Sequence, residues 1–288
     1  LIDDLIMNDT SAPKKSPNLL IRHIALPQDH GSWVFLLSPL FIGLFAANEW
    51  SFTTILLILA ALSAFLIRQP VTIAVKAYSG RRAQAELKAA WFWMMVYGLL
   101  GLIALLGLIW QGFGYLLYLA IPGIPVFAWH LYLVSKRLER RQAGVELVGS
   151  GVLALAAPAA YWTGLGYPDP TGWLLFGLVW LQSAASIIYA YLRLEQRGLV
   201  EKPEPAQLLR MGRRALLYTS FNLALVMILS ATKITPFWLF LPYLLQWLET
   251  LRGVLQPAIK VKPTAIGIRQ LIVSTIFTIL FILTWSYR

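Results

Sequence analysis

Two polar clusters stand where long apolar runs stop. In Leu66–Lys88, LIRQPVTIAVKAYSGRRAQAELK, Arg68 sits in the tail of an apolar run that opens at Phe52. Pro70 follows, and then Lys76, Arg81, Arg82 and Lys88 arrive with only Glu86 against them. At Tyr189–Arg197, YAYLRLEQR, a second run ends in Arg193, Glu195 and Arg197. An arginine this close to membrane-length apolar sequence is costly unless it snorkels, pairs or faces a polar cavity. Cations on helix ends suit an anion: phosphate, pyrophosphate, an anionic lipid head group or a carboxylate. Arg68, Lys76, Arg193 and Arg197 are the residues expected to hold such a head group. The remaining Lys and Arg are explained by membrane topology.

Acids and histidines are fewer. Asp29 and His30, in PQDHGSW, precede an apolar run. Asp29 suits an N-cap that meets free amides and the helix dipole, while His30 in that place also suits metal binding or proton transfer. Glu146, in RRQAGVELVGSG, has three options: to cap its helix, to pair with Arg140 or Arg141, or to face a central cavity towards Arg68. Asp29, His30 and Glu146 are therefore expected as supporting polar groups. Glu249 and Arg252 lie three apart in WLETLRG and are expected to pair on one helical face. Gln182, Asn222 and Gln246 read as hydrogen-bond partners between helices. His23 and His130 have no motif around them and are expected at interfaces.

Several chemistries have no residues to support them. Cysteine is absent, which removes disulfides, a thiol nucleophile and Cys-based metal centres. Neither G-x-x-x-x-G-K-[ST] nor H-E-x-x-H occurs, and no D-x-x-x-D cluster is present. No metal or cofactor is expected.

These side chains must be held by membrane helices. Hydrophobic residues make up 58% of the 288 and charged residues 13%, with a mean hydropathy of +0.67. A soluble domain carries roughly 25% charge, so the chain reads as one all-α, polytopic membrane bundle. Nine apolar segments are predicted, at about 32–48, 52–75, 90–110, 113–134, 145–163, 171–194, 214–231, 235–251 and 266–286. Trp50, Trp110, Trp162 and Trp285 lie near their ends, as an aromatic belt requires. Residues 1–22 are expected to be a disordered cytoplasmic tail and 23–288 the nine-helix domain. Leu1–Ile6 precede a plausible start at Met7 and are set aside from the fold argument.

Charge sets the orientation. With the N-terminus inside, 22 of the 24 Lys and Arg fall on inner connections, leaving Lys233 and Arg288 outside. The net charge of +11 therefore marks the cytoplasmic face, and nucleic acid is not an expected partner.

The phrases PQDHGSWVFLLSP, LIRQPVTIAVK, GVELVGSGVLALAAPAAYW and KPTAIGIRQ resemble the YwiC-like membrane proteins, from about His23 onward. A more distant resemblance is to the UbiA superfamily of intramembrane prenyltransferases, nine-helix bundles whose second and sixth helices end in Asp-rich motifs for magnesium and prenyl diphosphate. Matching Leu66-Ile67-Arg68 to the start of the first motif puts Val75 at its Asn and Lys76, Ser79 and Ala83 at its Asp positions. Matching Ile188-Tyr189-Ala190 to the second puts Ser186, Arg193 and Gln196 or Arg197 where acids belong. The resemblance thus implies a UbiA-like bundle without the metal-binding acids, in which cations hold an anion directly.

The expected function is binding of an amphipathic isoprenoid, quinone or lipid, its anionic head near the cytoplasmic face. The resemblance adds a metal-independent or degenerate prenyltransferase relative, that is, a transferase of isoprenoid or quinone metabolism. Two further classes stay open: a non-catalytic assembly factor or accessory subunit of a membrane protein complex, and an organic-anion transporter. The expected location is a bacterial inner or thylakoid-type membrane.

Overall fold

The computed structural model describes residues 19–27, 30–138 and 142–286, with the side chain of His30 left out. Each of the nine apolar segments is helical. The elements are α1 (Arg22–Ala25), α2 (His30–Ala47), α3 (Phe52–Tyr78), α4 (Glu86–Trp110), α5 (Leu117–Ser135), α6 (Ala143–Ala154), α7 (Ala156–Leu165), α8 (Pro170–Gln196), α9 (Pro205–Ala231), α10 (Phe240–Leu255) and α11 (Pro263–Ser286). Among the described residues there is no strand. α6 and α7 are one rod interrupted at Leu155, because Pro158 has no N–H to return to Ala154.

Among the described residues, seven helices are long and apolar enough to cross a membrane: α3, α4, α5 with its preceding turn, the α6–α7 rod, α8, α9 and α11. The other two are shorter. α2 has 18 residues and α10 has 16, or about 27 and 24 Å at 1.5 Å per residue, against roughly 30 Å of hydrocarbon. Many large apolar side chains face outward, such as Met95, Ile103, Ile124 and Phe221. In water such a surface would drive aggregation; in a bilayer it is the solvated face. The chain is a polytopic helical membrane protein.

Helix ends alternate between two faces. On the basic face, Arg81 of the α3–α4 link donates to the Val134 carbonyl at the end of α5. His23 Nε2 lies 3.3 Å from Glu86, which also takes Arg82 at 3.0 Å. α1 packs there against α3 and α4 through Ile24, Ile73, Ala74, Ala89 and Ala90. On the opposite face, Asp169 Oδ1 caps α8 by accepting from Thr171 N (2.8 Å), with Pro170 at the first helical position. Trp162 Nε1 donates to the Asp169 carbonyl (2.8 Å). Trp162 and Trp285 are buried, so the belt expected of them is not formed; Trp50 and Trp110 are exposed. Trp285 stacks on Phe281 instead, with centroids 5.8 Å apart.

α2 is the centre of the bundle, packing on α7, α11, α6 and α8. A Cβ at Gly43 would run into the Ala157 carbonyl of α7, so only glycine permits this approach. Ser38 and Thr278 share a 2.6 Å hydroxyl bond between α2 and α11. α3 and α4 form the other tight pair. Gly98, Gly101 and Gly107 of α4 face Ile67, Ser63 and Leu56 of α3.

Candidate functional site

Two places among the described residues have the character of a site. The larger is an apolar cavity of about 580 Å³, walled by α3 to α7 and touched by Leu36 of α2. Small residues line it on facing helices: Ala60, Ala61 and Ala64 of α3, Gly98 and Gly101 of α4, Gly123 of α5 and Gly149 of α6. A Cβ at Gly149 would meet nothing within 4 Å. Leu117 and Ile124 of α5 line the cavity and are also exposed, so its mouth runs along α5 towards lipid. Arg68 and His130 are the ionisable linings apart from the Tyr97 phenol, and Tyr97 donates to the Ala25 carbonyl (3.0 Å).

Arg68 lies ten residues before the end of α3, or roughly 15 Å along the axis from its basic end. It is half-buried, and its guanidinium carbon sits 5.3 Å from the centre of the Phe65 ring. That contact attracts a cation to the ring face. His130 lies five residues before the end of α5, on the same side. The cavity thus has a polar end towards the basic face and an apolar remainder.

The second place is a polar seam where α8, α10 and α11 meet near the basic face. Glu249 of α10 takes Arg269 of α11 in a two-pronged pair, Nε–Oε1 2.5 Å and Nη2–Oε2 2.6 Å. The Tyr189 hydroxyl of α8 donates to Glu249 Oε1 (2.8 Å). This corrects the expected Glu249–Arg252 pair. Glu249 turns inward to α11, whereas Arg252 is exposed and its Nε donates to Gln256 Oε1 (3.3 Å). Two of the three amides bond between helices as expected, Asn222 donating to the Leu181 carbonyl (2.9 Å) and Gln246 to the Gln182 carbonyl (3.0 Å), whereas the Gln182 side chain donates to Ser186 Oγ one turn along its own helix (3.1 Å).

The four cations expected around one head group are divided between these places. Arg68 lines the cavity, and Lys76 is half-buried two residues before the end of α3. Arg193 and Arg197 belong to the seam. Arg193 donates to the carbonyls of Gly253 and Gln256 (both 2.6 Å) and to Gln196 Oε1 (2.9 Å). Arg197 Nε donates to the Val261 carbonyl (2.7 Å). Both satisfy carbonyls at the end of α10 and in the link to α11, the groups a helix C-terminus leaves unpaired. Glu146 is exposed at the start of α6 and accepts from the Tyr191 hydroxyl of α8 (2.8 Å). Asp29 lies outside the described residues; His30 opens α2, its side chain likewise outside them. Among the described residues no group of three or more His, Cys, Asp or Glu stands close enough to hold a metal ion.

His130 was the member of the cavity that spacing did not single out, and Arg269 that of the seam. Arg269 could have been found as a cation in the first two turns of the last apolar helix, opposite in sign to Glu249 and at similar depth.

The family described as YwiC-like protein matches residues 26–161. Uncharacterized protein YwiC of Bacillus subtilis (strain 168) is 29% identical over 176 residues, covering 57% of this chain. The match spans 62% of that protein's length. No solved structure matches the chain. Every residue lining the cavity, from Leu36 to Ala159, falls inside the family match. Over residues 26–161, the stretch that walls this cavity, the chain is similar to the YwiC-like family.

Proposed function

We propose that the protein binds one amphipathic molecule, an isoprenoid, quinone or lipid, with its chain in the α3–α7 cavity and its head at Arg68 and His130. The observation that carries this reading is the cavity itself: about 580 Å³, apolar along most of its wall, with Arg68 and the ionisable His130 gathered towards one face. Ligand pockets run roughly 300–1,000 Å³ and combine an apolar lining with a few convergent polar groups. A guanidinium at membrane depth favours a phosphate, carboxylate or quinone-type oxygen as partner. Lys76 extends the positive field along α3 towards the basic face. Arg193 and Arg197 hold the α10–α11 link and act on the head group only through the summed field.

The orientation belongs to the same reading. The basic face is cytoplasmic by the distribution of Lys and Arg, α2 and α10 complete nine spans, and the membrane is a bacterial inner or thylakoid-type one. Photo-cross-linking tests the reading. A fatty-acyl probe with a chain diazirine, added to membranes holding the full chain, is expected to label Ala60, Ala120 and Val152 inside the cavity. Labelling confined to outward residues such as Met95 and Phe221 would count against it.

A further inference from the structure

The polar seam encloses a second, much smaller cavity of about 20 Å³, lined by Ser186, Tyr189, Gln246, Glu249, Gln270 and Ser274 among others. Its hydrogen bonding is incomplete in two opposite senses. Gln246 is 6% exposed, and its Oε1 is buried with no hydrogen-bond partner among the described residues. The amide cannot simply be turned over, because Nε2 is committed twice: to the Gln182 carbonyl (3.0 Å) and to Ser186 Oγ (3.1 Å). Turning it would set two oxygens against one another at the Gln182 carbonyl. Gln246 Oε1 therefore needs a donor.

Ser186 has the complementary need. Its Oγ accepts from Gln246 Nε2 and from Gln182 Nε2, each at 3.1 Å. With Gln182 Nε2 facing Ser186, as the Ser183 hydroxyl on Gln182 Oε1 (3.5 Å) sets it, both lone pairs are engaged and the hydroxyl proton is left for an acceptor. Gln270 is spent on the Ser186 carbonyl (2.9 Å). A buried acceptor without a donor and a hydroxyl without an acceptor, on one cavity, call for a species that both donates and accepts. A cation can satisfy Gln246 Oε1 but cannot take the serine proton, and the Arg269 guanidinium beside Glu249 opposes it.

We propose that this cavity is the binding site of one structural water molecule. It accepts from Ser186 Oγ and donates to Gln246 Oε1, and its second proton is directed at the Glu249 carboxylate on the same wall. A water needs roughly 10–15 Å³ of such space and two to four polar partners, and the cavity provides both. The water joins the amide ladder of α8 and α10 to the Glu249–Arg269 pair of α11, so that three helices share one network. It does not depend on a ligand in the larger cavity.

The test uses the full chain in lipid nanodiscs. A cryo-electron microscopy map fine enough to show ordered waters is expected to hold one isolated peak within about 2.7–3.0 Å of both Gln246 Oε1 and Ser186 Oγ. No peak there, or a peak ringed by four or more oxygens at distances shorter than hydrogen bonds, overturns the proposal. Val273→Ile gives an independent readout, because Val273 lines the same cavity. The added methyl displaces the water and strands Gln246 Oε1, so the melting temperature in detergent should fall by several degrees. An unchanged or raised melting temperature would mean the methyl fills a dry void, and would contradict the proposal.

Discussion

Removing Arg269 probes the seam most sharply. Glu249 is 10% exposed at its side chain and Arg269 is 38% exposed. Arg269→Met takes away both prongs of the pair and leaves the carboxylate with the Tyr189 hydroxyl as its strong donor. Breaking a fully buried pair in this way costs about 3–5 kcal/mol. Water reaches Arg269, which weakens the pair and lets solvent replace part of it, so we take about 2–3 kcal/mol here. Glu249→Met leaves a partly solvated guanidinium and an unpartnered tyrosine hydroxyl, at about 1–2 kcal/mol. The double variant removes both charges and should cost only about 1 kcal/mol, because neither is then left unmatched. Thermal melts of the four proteins in mild detergent read this out. For a chain of this size roughly 2–4 °C accompanies each kcal/mol, so Arg269→Met should melt roughly 5–10 °C lower and the double variant nearly as high as the parent. Simple addition of the two single losses would refute the reasoning.

Other outcomes follow from particular contacts. Gly43→Leu should cost at least about 1–3 kcal/mol by forcing α2 away from the Ala157 carbonyl; a melting temperature within a degree of the parent would show that α2 and α7 are not so close. Arg193→Gln should speed hydrogen exchange of the amides around 256–262, since the Gln256 carbonyl loses its arginine donor and the Gly253 carbonyl keeps only Gln196 Nε2; unchanged protection would mean the link does not depend on that arginine. Trp162→Phe should lower stability by about 1 kcal/mol by removing the bond to the Asp169 carbonyl, read again by thermal melts.

The helices were legible because each apolar run is long and ends in Gly, Pro or charge. α10 is the instructive segment. Its Gln246, Glu249 and Arg252 dilute the hydropathy that marks a span, yet two of the three face the bundle interior. The i,i+3 rule that pairs Glu249 with Arg252 describes an exposed helical face. It fails when a neighbouring helix offers a better-aligned cation, and that alignment depends on the α10–α11 hairpin. Arg193 and Arg197 were recognised as unusual from their place at a helix end. Their use as donors to a neighbouring helix's free carbonyls depends on tertiary structure. The glycines and alanines around the cavity are plain in the sequence, but a small residue looks the same whether it permits close contact, as Gly43 does, or leaves space, as Gly149 does. Trp162 and Trp285 sit at helix ends as the belt rule requires, but packing turned both inward.

Native mass spectrometry of the purified protein, released from nanodiscs, tests the central claim most directly. The parent should carry one bound amphipathic molecule per chain. Gly149→Phe should lose it, because the ring enters the α3–α7 cavity where a Cβ meets nothing within 4 Å. Gly177→Phe on α8 should keep it, since its Cβ also meets nothing within 4 Å but Gly177 does not line the cavity. Arg68→Ala should retain less at equal collision energy. A parent with no bound molecule, or equal retention by the parent and Gly149→Phe, would contradict the account.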